Sequence, residues 1–219
     1  MKKTVLSLFA ALAVLTALVA HSTAALAGDA SALRPPKGYK LAIVEFADLQ
    51  CPDCARAEPL LEEAARTYKI PIVRYDFPLP KHNWSSDAHI YARWFDTKSK
   101  KLGDEYRTYI FKNQPQITPE NLRSLTEKFA QDHKLAFPLF VDPRGDLARK
   151  VRADFAVGQK VGIQHTPTIY IVSDSTRGTP FVEVVNRDNL FAMIDEMKRQ
   201  VGGTVTTTAS TAKGSKKAQ

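Results

Sequence analysis

KLAIVEFADLQCPDCARAEPLLEEAARTY, residues 40–68, contains the chain's only two cysteines at the point where one hydrophobic pattern gives way to another. Residues 40–47 are mostly apolar, with Ile43, Val44 and Phe46, and read as a buried strand. Residues 52–68 carry Leu60, Leu61, Ala64 and Ala65 on one side of a helix, with Pro59 as an expected kink. Cys51-Pro52-Asp53-Cys54 therefore lies on the first helical turn, where a disulfide closes a small ring without long-range rearrangement. Backbone N–H groups and the positive end of the helix dipole favour a thiolate at Cys51, and the thiolate is the nucleophile of disulfide exchange. Cys51 is the expected attacking sulfur and Cys54, one turn further in, the resolving one.

Two other uses of such a pair carry less weight. A structural zinc site takes four ligands, commonly two CxxC pairs or one pair with two spaced histidines, and neither pattern occurs here. A metal module would have to use Cys51, Cys54 and His165. A purely structural disulfide would restrict the unfolded chain little across so short a loop. No metal is expected, and no cofactor other than the Cys51–Cys54 disulfide itself.

Outward from this stretch, the 219-residue chain opens like an export signal: Lys2 and Lys3, an apolar run over residues 5–20, then Ala25-Leu26-Ala27 as a small-x-small cleavage site. The run holds 16 residues with Ser7 and Thr16 inside it, short of the roughly 20 that a membrane span needs. Cleavage is expected after Ala27, giving a soluble product in the periplasm or another extracytoplasmic space, where disulfides persist. An uncleaved anchor is the alternative. Residues 28–39 form a linker. Losing Lys2 and Lys3 takes the formal charge from +8 to +6, and Lys213, Lys216 and Lys217 of the acid-free tail over residues 203–219 hold three more of those charges. The remainder is too mild to argue for nucleic acid. The Thr-, Ala-, Ser- and Gly-rich tail is expected to be disordered, with a membrane-surface tether as its functional alternative.

Residues 70–77 (IPIVRYDF) return to strand, so the order strand, helix, strand requires a right-handed crossover between parallel strands. Residues 85–161 are helical in pattern, with Ala88, Tyr91, Ala92 and Phe95 on one face and Tyr106, Tyr109, Ile110 and Phe111 following. Thr118-Pro119-Glu120 and Asp142-Pro143 read as helix starts. Two β-rich runs at residues 168–172 and 181–185 form a hairpin. A closing amphipathic helix over residues 189–201 turns Leu190, Ile194 and Met197 inward and stops at Gly202-Gly203. His82, His89 and His133 read as surface positions, and His165 as a partly exposed polar residue.

Strand, CxxC at a helix start, strand, helical insertion, then X-Pro leading into a hairpin and last helix: this arrangement resembles the DsbA-like family, an α/β thioredoxin fold with an inserted α-helical domain. Val44-Glu45-Phe46, Cys51-Pro52-Asp53-Cys54, Tyr75-Asp76-Phe77-Pro78-Leu79 and Gly162-Ile163-Gln164-His165-Thr166-Pro167-Thr168 carry it, across residues 40–201. The resemblance divides the fold into residues 40–84, an insertion over 85–161, and residues 162–202. It implies a cis Thr166–Pro167 bond beside the dithiol, with the Thr166 backbone free to pair with an extended substrate. It implies further that Glu45 lies beneath Cys54 and exchanges that thiol's proton. From patterning alone, Glu45 could instead face solvent at a strand edge. Asp53 departs from the His of the best-known oxidase members, and its charge is expected to oppose the Cys51 thiolate and make a milder oxidant.

The expected function is an exported thiol:disulfide oxidoreductase donating its disulfide to reduced or misoxidised secreted proteins. A membrane redox partner linked to quinone would reoxidise it. A reductase or isomerase is the first alternative, since potential and partner set direction; no dimerisation segment of the isomerase kind is read ahead of Lys40.

Overall fold

Strand β1 (Leu41–Ala47) is buried along its whole length, because it is an inner strand of a four-stranded sheet in the order β2-β1-β3-β4. Its neighbour β2 (Ile72–Asp76) is parallel, and β3 (Thr168–Ser173) is antiparallel on the other side, followed by antiparallel β4 (Phe181–Glu183). A parallel pair needs a crossover, and α1 (Pro52–Tyr68) provides it, running through Pro59 as one helix. The computed structural model describes residues 29–175 and 179–202. The export signal with its cleavage site, the basic tail over 203–219 and part of the hairpin loop lie outside the described residues.

Alternation along β1 sends its side chains to two different layers. Leu41 and Ile43 pack with Ala57, Leu61 and Ala64 of α1 and with Leu190, Ile194 and Met197 of the closing helix α6 (Leu190–Gly202). Ala42, Val44 and Phe46 face the opposite way, onto Phe77, Tyr170 and the α5 (Asp146–Val161) residues Phe155 and Val157. Gly158 lets α5 approach this closely: a Cβ there would lie 2.5 Å from the Phe77 ring. Glu45 has the parity of Leu41 and Ile43, so it points into the layer that holds α1.

Helices α2 (Ser85–Asp96), α3 (Lys100–Asn113) and α4 (Leu122–Asp132) build a separate aromatic core around Phe95, Tyr106 and Phe129, and that core extends to Cys51 and Cys54. Two expected helix starts move. Thr118-Pro119-Glu120 is a turn and α4 begins at Leu122; the Asn121 side chain holds that turn, accepting the Thr118 amide at 2.8 Å and donating to Gln116 O at 2.8 Å. Asp142 stands ahead of α5 and caps it from outside, accepting the Leu147 and Ala148 amides at 3.1 and 2.8 Å. Residues 133–145 are consequently irregular where the pattern had implied helix. Among the described residues no helix is long and apolar enough to cross a membrane.

Candidate active site

Cys51 is the N-cap of α1, in extended conformation with Pro52 at the first helical position, and Cys54 follows on the first turn. Both are free thiols. Cys51 keeps 7% of its surface exposed and Cys54 none. The Thr166–Pro167 bond is cis and sets the Thr166 carbonyl 3.2 Å from Cys51 Sγ, where it accepts from the thiol. Pro167 is half-buried beside it, and the neighbouring His165 is exposed.

The two sulfurs are driven apart in acidity. Donation from the Cys54 thiol, aided by the Thr166 side chain and the amides of Cys54 and Asp53, outweighs partial burial and pulls Cys51 from 9.0 down to about 5. Thr166 Oγ1 is buried and makes no hydrogen bond among the described residues, so its hydroxyl is available to the Cys51 sulfur. Cys54 goes the other way: burial pushes its thiol well above the ordinary range, and the neighbouring Cys51 and the Glu45 charge add to the effect. A readily ionised sulfur with a small exposed edge beside a protonated, fully enclosed one is the arrangement a nucleophile and its resolving partner need.

Glu45 is fully buried. Its register partner across the sheet is Arg74, whose Nε stands 3.4 Å from the carboxylate without forming a hydrogen bond to it. Burial raises the Glu45 carboxyl from 4.5 to about 7, against the pull of Arg74 and with the help of Glu58 and Glu62. Arg74 itself donates to Glu58 and Glu62 at 2.9 and 2.7 Å, so it is shared among several carboxylates. A buried carboxyl poised near neutrality, close enough for its charge to act on the Cys54 thiol, is of the kind that can take up and return a proton.

The Asp53 carboxylate is paired rather than free. Arg187, just beyond β4, donates to its carboxylate at 2.8 Å and to its backbone carbonyl at 3.2 Å, and Arg56 donates at 3.0 Å. Arg187 above all holds the Asp53 carboxyl below the usual range. Two guanidiniums thus offset the charge expected to oppose the Cys51 thiolate, while the Asp53 amide favours that thiolate. Arg187 had no sequence signal of its own, being an ordinary basic residue far along the chain.

The loop over residues 48–50 between β1 and Cys51 is tethered from several sides. Asp48 is buried, and its carboxylate accepts the amides of Gln50 and Leu79 at 2.7 and 2.6 Å and the Ser85 hydroxyl at 2.5 Å, with His82 Nδ1 at 2.7 Å. Gln114 Nε2 donates to the carbonyls of Leu49 and Cys51 at 2.9 and 3.1 Å. The surface reading of His89 is wrong: it is 1% exposed, because Asp76 and the Leu49 amide supply both ring nitrogens with partners. His82 is half-buried for a similar reason, and His133 is exposed. Among the described residues no group of three His, Cys, Asp or Glu side chains could hold a metal ion.

The sequence model of the thioredoxin family matches residues 39–208. Among solved structures, the thiol-disulfide exchange protein alpha-DsbA2 of Wolbachia pipientis superposes with a TM-score of 0.60 at 15% identity, covering 75% of this chain and 85% of that one. ScsC of Proteus mirabilis in a transitional conformation gives 0.57 at 20% identity over 78% and 72% of the two chains. A periplasmic thioredoxin-like protein of Salmonella enterica serovar Typhimurium gives 0.57 at 21%, over 74% and 87%. At these identities the likeness is one of fold. Curated relatives include a protein named Na(+)/H(+) antiporter NhaA 3 of Salinispora tropica, 24% identical over 80% of this chain but only 26% of its own length. NhaA 1 of Salinispora arenicola is 23% identical over 72% and 24%. The chain thus spans about a quarter of the curated relatives it matches. With a family match over well more than half of the residues, a mixed sheet carrying the dithiol at the start of its crossover helix and a helical insertion of the DsbA type, the chain belongs to the thioredoxin family.

Proposed function

We propose that this chain is a thiol:disulfide oxidoreductase working outside the cytoplasm as an oxidase, donating the Cys51–Cys54 disulfide to reduced secreted proteins. The feature that carries this reading is the set of donors at the start of α1, the Cys54 thiol first, which pulls the Cys51 pKa down to about 5. A stabilised thiolate stabilises the reduced form, and a dithiol that prefers to be reduced makes an oxidising disulfide. In the exchange, a substrate thiolate attacks Cys51 Sγ of the disulfide, the Cys51–Cys54 bond breaks, and Cys54 leaves as a thiolate that takes a proton from Glu45. The substrate's second thiolate then attacks the substrate sulfur bound to Cys51, which departs as a thiolate. The net result is a substrate disulfide and a reduced enzyme. A membrane partner passing the two electrons to quinone would restore the disulfide.

The export-like N-terminus supports the extracytoplasmic placement. Thiol trapping in growing cells tests the direction. A pair found mostly as disulfide fits the oxidase. A pair found mostly as dithiol would assign the site to reduction or isomerisation.

A further inference from the structure

Cys51 and Cys54 owe their positions to the loop over residues 48–50, and one tether of that loop is unlike the rest. The Leu49 amide donates to His89 Nε2 at 3.2 Å, and His89 Nδ1 lies 2.8 Å from Asp76 Oδ1. An amide can only donate, so Nε2 carries no proton, and the single proton of a neutral imidazole sits on Nδ1 facing the carboxylate. Asp76 is in turn fixed: its other oxygen takes Arg93 Nε, and Asp154 accepts both from Arg93 and from the Asp76 amide, the latter at 3.1 Å. This chain of contacts runs from α5 through the end of β2 and α2 to the residue two before the attacking cysteine.

We propose that His89 is a positioning residue for the dithiol, its Asp76-oriented neutral imidazole holding the loop that aims both sulfurs. The loop transmits the constraint at two points. The Asp48 amide, adjacent to Leu49, donates to Cys54 Sγ at 3.5 Å, and Cys51 is itself anchored by its amide to Asp48 O at 3.0 Å. Leu49 is 1% exposed, so water does not replace a lost acceptor there. A buried amide without a partner is costly enough that the loop shifts to find one. Such a shift carries the Asp48 amide away from Cys54 and turns Cys51 relative to Thr166. A buried histidine serving packing alone would depend on volume and on its ion pair with Asp76, and would leave the sulfurs indifferent to which nitrogen is replaced.

That distinction sets the test, which rests on the thiol-exchange reading but can fail separately from it. In His89→Gln the amide oxygen reaches the Nε2 position and still accepts from Leu49; in His89→Asn the amide reaches only the Nδ1 position and keeps Asp76 alone. His89→Leu keeps neither. Thiolate absorbance of the reduced full chain is titrated alongside exchange with glutathione. Asn and Leu should raise the Cys51 midpoint by about half a unit or more, cutting the thiolate fraction below that midpoint by about threefold, while Gln should restore the wild-type curve. Asn matching wild type while Gln does not, or all three titrating like wild type, would overturn the assignment. Imidazole nitrogen NMR of the wild type gives an answer even where a variant does not fold: a protonated Nε2 refutes the proposal, and an unprotonated Nε2 with a slowly exchanging Leu49 amide supports it. Failure of the wild type to exchange with glutathione would instead strike the enzymatic reading, leaving the tautomer and titration results to judge His89.

Discussion

Replacing Glu45 with Gln removes a buried charge while keeping the side chain's size, and the result should depend on pH in a defined way. The carboxyl is raised by burial from 4.5 to about 7 in the folded chain. Below about pH 4.5 the folded and unfolded states both hold the proton. Between 4.5 and about 7 the unfolded chain releases it while the folded one keeps it, so stability falls as pH rises through that window and is level above it. An interval of about two and a half units at ~1.4 kcal/mol each gives a loss of ~3 kcal/mol. Gln has no such titration, and Arg74 keeps Glu58 and Glu62 as partners. Denaturant unfolding of the reduced protein should therefore find Glu45→Gln close to wild type at about pH 4.5 and more stable by ~3 kcal/mol at about pH 8, or roughly 6–12 °C in Tm. In the same variant the escape of a trapped mixed disulfide by Cys54 attack, the reverse of the first exchange step, should slow by about 10²-fold and lose the rise through neutrality that a carboxylate base confers. A stability difference that is constant with pH, or a variant weaker at alkaline pH, would refute the reasoning, because the Arg74 attraction would then outweigh the burial of the charge.

Limiting iodoacetamide should label Cys51 and spare Cys54, with a rate that rises through about pH 5 and is level by neutrality; mapping the adduct to Cys54 would reverse the roles. Arg187→Ala leaves Asp53 with only the exposed Arg56, so the Cys51 midpoint should rise by about half a unit and the reduction potential fall by about 15 mV. Adding Asp53→Ala to that variant should cancel the shift, and persistence of the shift would show that Arg187 acts on Cys51 by another route. Gly158→Ala forces a Cβ to within 2.5 Å of the Phe77 ring, and thermal unfolding should show a loss of about 1–3 kcal/mol from overpacking; an unchanged Tm would mean that α5 moves off the sheet without cost.

The fold was legible where residue pattern and topology constrain each other. The apolar run of β1 and the helical spacing after Cys51 could be assigned locally, and a parallel return strand at residues 72–76 then left few arrangements. The helix starts at Thr118 and Asp142 were misread because a capping residue and the first helical residue need not be adjacent: Asp142 reaches the amides of residues 147 and 148 across a turn. The dithiol was legible from spacing and Thr166–Pro167 from resemblance. Arg187 was not, since its contact with Asp53 joins residues 134 positions apart, and no local pattern marks one arginine over another. His89 was misread for a more general reason. A histidine in a polar stretch of an amphipathic helix looks solvated until the carboxylate that satisfies it is placed, and Asp76 comes from the end of a strand.

The charges around the dithiol show why the helical insertion and the sheet must meet at this point. Cys51 needs donors, and the start of α1 supplies them through the Cys54 thiol and the amides of Cys54 and Asp53. Cys54 needs enclosure, and the aromatic core of the insertion supplies that. Glu45 is raised toward neutrality by the same kind of burial that raises Cys54, and its charge acts on that thiol. Burial thus serves opposite ends at one site. It keeps the Cys54 thiol protonated, and it brings the Glu45 carboxyl near neutrality, the range that the proton exchange of the proposed function would use.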